Sequence, residues 1–140
     1  MQRNFENKKK IQEIGGFMDR MPIDKFKDTL AKYQKLFALE NWTFTVKENS
    51  FSPGDYNAKT LADPRYHHAD ITISASLNPE DHERIVIHEL IHVVMALYDF
   101  YVDSIGQPEA KELYFTSRES AVSQLTAIIM RVMKEGVNYA

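Results

Sequence analysis

The chain carries His88-Glu89-Leu90-Ile91-His92, two imidazoles four residues apart with a carboxylate between them. On an α-helix, residues at that spacing are offset by about 40° around the axis and about 6 Å along it. Both rings therefore leave one face and can converge on one ion. Glu89 lies about 100° from His88, too far round to be a ligand on that face but able to reach a water bound to the metal as a general base. The chemistry this pattern serves is hydrolysis assisted by a metal ion.

Cysteine is absent, which removes disulfides, thiol nucleophiles, Fe–S clusters and Cys-ligated zinc together. A catalytic zinc takes three protein ligands and one exchangeable water, and no histidine follows His92, so the third donor must be a carboxylate. Asp99 shares the His face but sits seven residues on, about 10 Å along the axis, and cannot meet the same ion. Glu119 falls three and ten residues before Val122 and Ile129, on a face that must pack inward, and is the chosen third ligand. Thr116-Ser117-Arg118-Glu119 also reads as a capping box, in which Glu119 merely returns to the backbone at the helix start. Glu109 and Glu112 compete for the ligand role, although their place beside Pro108 suits a solvated helix start.

The elements that must position these residues can be read in order. Ile23, Phe26, Leu30, Tyr33 and Phe37 recur every three or four residues from Pro22, the pattern of an amphipathic helix. Trp42, Phe44 and Val46 alternate with polar residues as a half-buried strand does. Ser52-Pro53-Gly54-Asp55 makes a turn, a weaker strand follows around 56–61, and Ile71 and Ile73 mark a third at 70–74. Asn78-Pro79 supplies an N-cap and a first-turn proline, with Glu80 and Asp81 where the helix dipole favours negative charge. A long helix is predicted from there to about Tyr101, and a last one over Ser117 to Lys134. The fold class expected is α+β: a helix, a small antiparallel three-stranded sheet, the motif helix and a C-terminal helix. Residues 1–21, with Lys8 to Lys10, form a loosely attached arm, and 22–140 form one domain.

The motif helix is apolar around most of its circumference, through Val86, Ile87, Leu90, Val93, Val94 and Leu97. Two imidazoles and a carboxylate buried there need partners. A metal meets that need; core histidines satisfied by hydrogen bonds are the plainer alternative. His67-His68 reads as a solvated turn, His82 as a surface residue, and Tyr98, Tyr101 and Tyr114 as packing residues.

The 140 residues carry 17 Lys and Arg against 20 Asp and Glu, a net charge of -3, with 44% hydrophobic residues. These values suit one folded, soluble domain and give no basic excess for a nucleic-acid partner. The longest apolar region, Ile85 to Leu97, is broken by His88, Glu89 and His92 and is not expected to span a bilayer. No targeting segment is apparent, and the expected location is the cytoplasm.

His88-Glu89-Leu90-Ile91-His92, followed by Glu119 within Ser117-Arg118-Glu119-Ser120-Ala121-Val122, resembles a gluzincin, and especially the minimal zincin domains of phages and prophages. The likeness runs from about Trp42 to Met133. It implies that His88, His92 and Glu119 bind zinc and that Glu89 is catalytic in cleaving a peptide or protein substrate. The chain departs from many such domains in having Arg118-Glu119 where they carry two adjacent acidic residues. The expected function is zinc-dependent peptide-bond hydrolysis; the alternative is a non-catalytic zincin-like module that binds metal and acts through a protein partner. For a peptidase, the strand at 70–74 is the expected edge for pairing with extended substrate.

Overall fold

The computed structural model describes residues 22–49 and 57–135. The arm at 1–21 and the turn at Ser52-Pro53-Gly54-Asp55 lie outside the described residues. Helix α1 (Pro22–Leu36) buries Phe26, Leu30 and Tyr33 on one face, as their spacing predicts. Two residues beyond its end, Ala38 with φ 55° turns the chain. The Gln34 side-chain amide seals that turn by donating to the carbonyls of Leu39 at 2.8 Å and Trp42 at 2.9 Å.

Strands β1 (Thr43–Asn49), β2 (Ala58–Asp63) and β3 (His68–Ser74) form one sheet in the order β1-β3-β2. The expected antiparallel sheet is corrected to a mixed one: β2 pairs antiparallel with β3, but β1 pairs parallel with it. Strand β3 takes the centre because its alternate residues Ala69, Ile71 and Ile73 are fully buried, and a strand covered this well can be paired on both sides. The strand predicted as the free edge at 70–74 is thus the middle one, and β2 is the edge beside the motif helix. Register fixes the faces. Val46, Ile71 and Thr60 lie side by side, as do Phe44, Ala69 and Ala62, so these residues share the face turned to the helices.

Asn78 accepts a hydrogen bond from the Glu80 amide at 3.2 Å and starts a 3₁₀ turn, Pro79–Asp81, that leads into α2 (His82–Ile105). The motif helix therefore begins at His82 and ends later than expected. Its first half is core on nearly every side, with Ile85, Val86, Ile87, Leu90, Ile91 and Val93 buried, whereas Val94, Leu97, Tyr98 and Tyr101 beyond it are exposed. The stretch Pro79–Ser104 is, against expectation, long and apolar enough by length and composition alone to cross a membrane. Packing of its first half into the core accounts for much of that apolarity. His82 also departs from expectation: it is 2% exposed, set beside Phe26 of α1, and both its ring nitrogens lack hydrogen-bond partners among the described residues.

Gly106 closes α2 with φ 73°, a left-handed conformation in which glycine carries no Cβ penalty. Helix α3 then runs unbroken over Pro108–Glu135, starting well before the predicted Ser117. Pro108 and Glu109 supply the start signals of the real N-terminus, and Gln107 accepts the first turn's bond from Lys111 at 3.0 Å. Helices α2 and α3 form a hairpin tied by Lys111 to Asp103 at 2.8 Å and by Arg118 to Asp99 at 2.7 Å.

Candidate metal centre

Because α3 starts at Pro108, Thr116-Ser117-Arg118-Glu119 lies well inside it and the capping-box reading of Glu119 is excluded. Val122 is fully buried against α2 and Thr126 is nearly so. Glu119, three residues before Val122, is carried toward the histidine face of α2. Its carboxylate reaches His92 Nε2 at 2.8 Å and His88 Nε2 at 3.5 Å, and the two Nε2 atoms stand 3.2 Å apart. One donor atom from each of the three lies within 4.8 Å of the others. Around a tetrahedral ion bound at about 2.1 Å, neighbouring donors are separated by about 3.4 Å. Two neutral imidazoles and a carboxylate at these separations fit a divalent metal ion. Among the described residues this is the one such group. Glu109 and Glu112, at the exposed start of α3, are not part of it.

Burial holds both His88 and His92 below the usual histidine range, with the Glu119 charge opposing that shift. The neutral imidazole is the form that binds a metal. Glu119 keeps a 55% exposed side chain, so the trio sits at the wall of an open groove rather than in a sealed cage.

Glu89 turns away from the trio toward the sheet, as its angular offset requires. It is 5% exposed, and Thr60 of β2 donates its hydroxyl to Glu89 Oε2. Burial pushes its carboxyl up to about 7; the Thr60 hydrogen bond pulls down, and the Glu119 charge adds a smaller upward push. A carboxyl held near neutrality beside three metal donors can take up and release a proton around pH 7.

The groove encloses about 880 Å³ between β2 and the α2–α3 hairpin, and His88, Glu89, His92 and Glu119 all line it. Its other walls include Arg84 and Ile85 near the start of α2, and Ala96, Phe100 and Phe115 further along. Asp99, placed too far along α2 to share the ion, accepts from Tyr114 Oη at 2.8 Å and Arg118 Nη1 at 2.7 Å. Arg118 thus braces the hairpin one residue from Glu119. Tyr114 is committed to Asp99, and burial together with that hydrogen bond pushes its phenol up to about 12.

Sequence reasoning missed Thr60, Arg84 and the Asp99–Arg118–Tyr114 cluster. Thr60 had a readable signal: it is a polar residue in phase with Ala58 and Ala62, on the inward face of a strand. The cluster had none, because it depends on how α3 rotates against α2. His67 and His68 sit where a turn enters β3, and among the described residues neither joins the metal group. No family model, no curated protein and no solved structure matches this chain.

Proposed function

We propose that this protein is a zinc-dependent metallopeptidase that cleaves a peptide bond in an extended substrate. The observation that carries the reading is Glu89: a buried carboxylate beside the His88, His92 and Glu119 donors, on the wall of an open groove. His88, His92 and Glu119 would hold the ion, and zinc bound there would polarise the scissile carbonyl and acidify water. Glu89 takes the proton from the attacking water and hands it to the leaving nitrogen. Thr60 orients Glu89 by holding one of its carboxylate oxygens, leaving the other for the groove. Strand β2, at the edge of the sheet and along the groove, offers backbone groups with which extended substrate can pair.

The test is Glu89→Gln in the zinc-loaded protein. Hydrolysis of a peptide library is expected to fall by about 10²–10⁴-fold, with zinc content unchanged at one per chain. Undiminished cleavage by that variant removes Glu89 as the base. A wild-type protein that binds zinc and cuts nothing in the library removes the peptidase.

A further inference from the structure

The groove extends past the metal donors toward the start of α2, where Arg84 lines it four residues, or one helical turn, before His88. Its other arginines are engaged. Arg65 grips Asp63 through Nε at 3.0 Å and Nη2 at 2.9 Å, and Arg118 holds Asp99. Arg84 has Asp81 at 3.6 Å, beyond hydrogen-bond length, with both side chains roughly half exposed. The acidic residues lining the groove are likewise committed. Asp63 is held by Arg65, Asp99 by Arg118, Asp103 by Lys111, Glu89 by Thr60 and Glu119 by the two histidines. Among the described residues, a positive fork without a tight acidic partner therefore faces the groove next to the metal donors.

We propose that Arg84 is a specificity determinant that binds a carboxylate of the substrate, one or two residues from the bond that is cut. This deepens the peptidase reading above and rests on it. The spacing suits the assignment: one helical turn separates Arg84 from His88 by about 6 Å along the axis. In an extended peptide, side chains on the same face recur about every 7 Å. A substrate lying along β2 with its scissile carbonyl at the donors thus brings the next same-face side chain to Arg84. A guanidinium meets a carboxylate with two parallel hydrogen bonds, which makes the contact selective as well as attractive. The carboxylate has two possible sources, an internal Asp or Glu and a peptide's own C-terminus.

The experiment compares the full-length zinc-loaded protein with Arg84→Gln and Arg84→Glu on quenched fluorescent peptides. Each peptide carries Glu, Gln or Lys in turn at the two positions on either side of the cut bond, with a free or amidated C-terminus. Wild type is expected to favour Glu over Gln at one of these positions by about tenfold in kcat/KM. Arg84→Gln should level that ratio and Arg84→Glu should invert it toward Lys. If the preference follows the free terminus instead of the internal Glu, the terminal carboxylate is the group bound. Equal use of Glu and Gln by wild type, or a preference that survives Arg84→Glu, overturns the proposal.

Binding of the same uncut peptides to Glu89→Gln, read by fluorescence anisotropy, separates this failure from failure of the peptidase reading. A wild type that cuts nothing removes the peptidase. Charge-selective binding that disappears on adding Arg84→Gln still assigns the carboxylate to Arg84, and binding blind to peptide charge does not.

Discussion

The chain holds two pairs of histidines, and they meet opposite fates. His88 and His92 are four residues apart on a helix, leave one face, and have their Nε2 atoms 3.2 Å apart. His67 and His68 are adjacent where a turn enters a strand, and adjacent side chains there diverge. His67, with φ 50°, stacks on Trp42 at a centroid distance of 5.3 Å. His68 instead places Nδ1 2.8 Å from Thr43 Oγ1 and Nε2 3.0 Å from Asp70 Oδ1, on the sheet face away from the helices. Both pairs offer imidazole beside a carboxylate. What separates them is whether the spacing matches the period of the element, and whether a second element delivers a third donor to the same point.

The largest expected effect breaks the first pair and spares the second. His92→Ala should weaken zinc binding by at least about a hundredfold, since even partners behind the ligands are worth 10–100-fold. Zinc in thousandfold excess over its Kd stabilises wild type by about 4 kcal/mol, and at the same zinc concentration that gain should fall to about 1.4 kcal/mol or less in the variant. His68→Ala should leave zinc affinity and the stabilisation intact in the same calorimetric titration. Loss of zinc in His68→Ala, or its retention in His92→Ala, reverses the contrast.

A smaller effect concerns how the site leans on the sheet. Thr60→Val keeps the shape of the side chain and removes its hydroxyl from Glu89. On the peptidase reading, kcat should drop by about tenfold with KM and zinc content nearly unchanged. A change confined to KM places Thr60 with substrate rather than with Glu89.

His82 is a third kind of histidine, buried beside Phe26 with no hydrogen-bond partner for either ring nitrogen among the described residues. Burial depresses its pKa, and Lys25 of α1 pushes the same way, with Asp81 opposing. Above the unfolded value of about 6.5, both states are neutral and the full stability is present. As pH falls below it, the unfolded chain binds the proton first, so stability is lost down to the folded pKa. For the metal-free protein in chelator, urea unfolding should show wild type losing up to about 1.4 kcal/mol per pH unit more than His82→Leu in that window. Parallel pH profiles for the two proteins assign the acid sensitivity elsewhere.

The smallest effect lies in the turn that sets α3 against α2. Among the described residues, nothing beyond Gly106's own chain neighbours stands within 4 Å of where a Cβ would sit, so Gly106→Ala meets only the strain of its positive φ. The cost should be about 1 kcal/mol in thermal unfolding, with zinc affinity little changed.

These contrasts also show how much could be read before the fold was known. The three helices and three strands were legible because their apolar residues follow periods of 3.6 and 2, and the convergence of His88 with His92 follows from helix geometry alone. Glu119 was legible as a candidate, but its choice over a capping role needed the true start of α3, which Pro108 and Glu109 signal only weakly against Thr116-Ser117. The sheet order was not legible. Local alternation fixes which residues face inward, not which strand lies between the others, and so β3 was mistaken for an edge. His82 was misjudged because burial at that position comes from α1 packing across the start of α2, a contact between residues far apart in the chain.

Two rings of α2 and one carboxylate of α3 are placed to share a single ion. Crystals of the protein grown with zinc, measured at the zinc absorption edge, test it most directly. One anomalous peak per chain is expected, within bonding distance of His88 Nε2, His92 Nε2 and the Glu119 carboxylate. A peak at His68 and Asp70 instead, or none at the three donors, contradicts it.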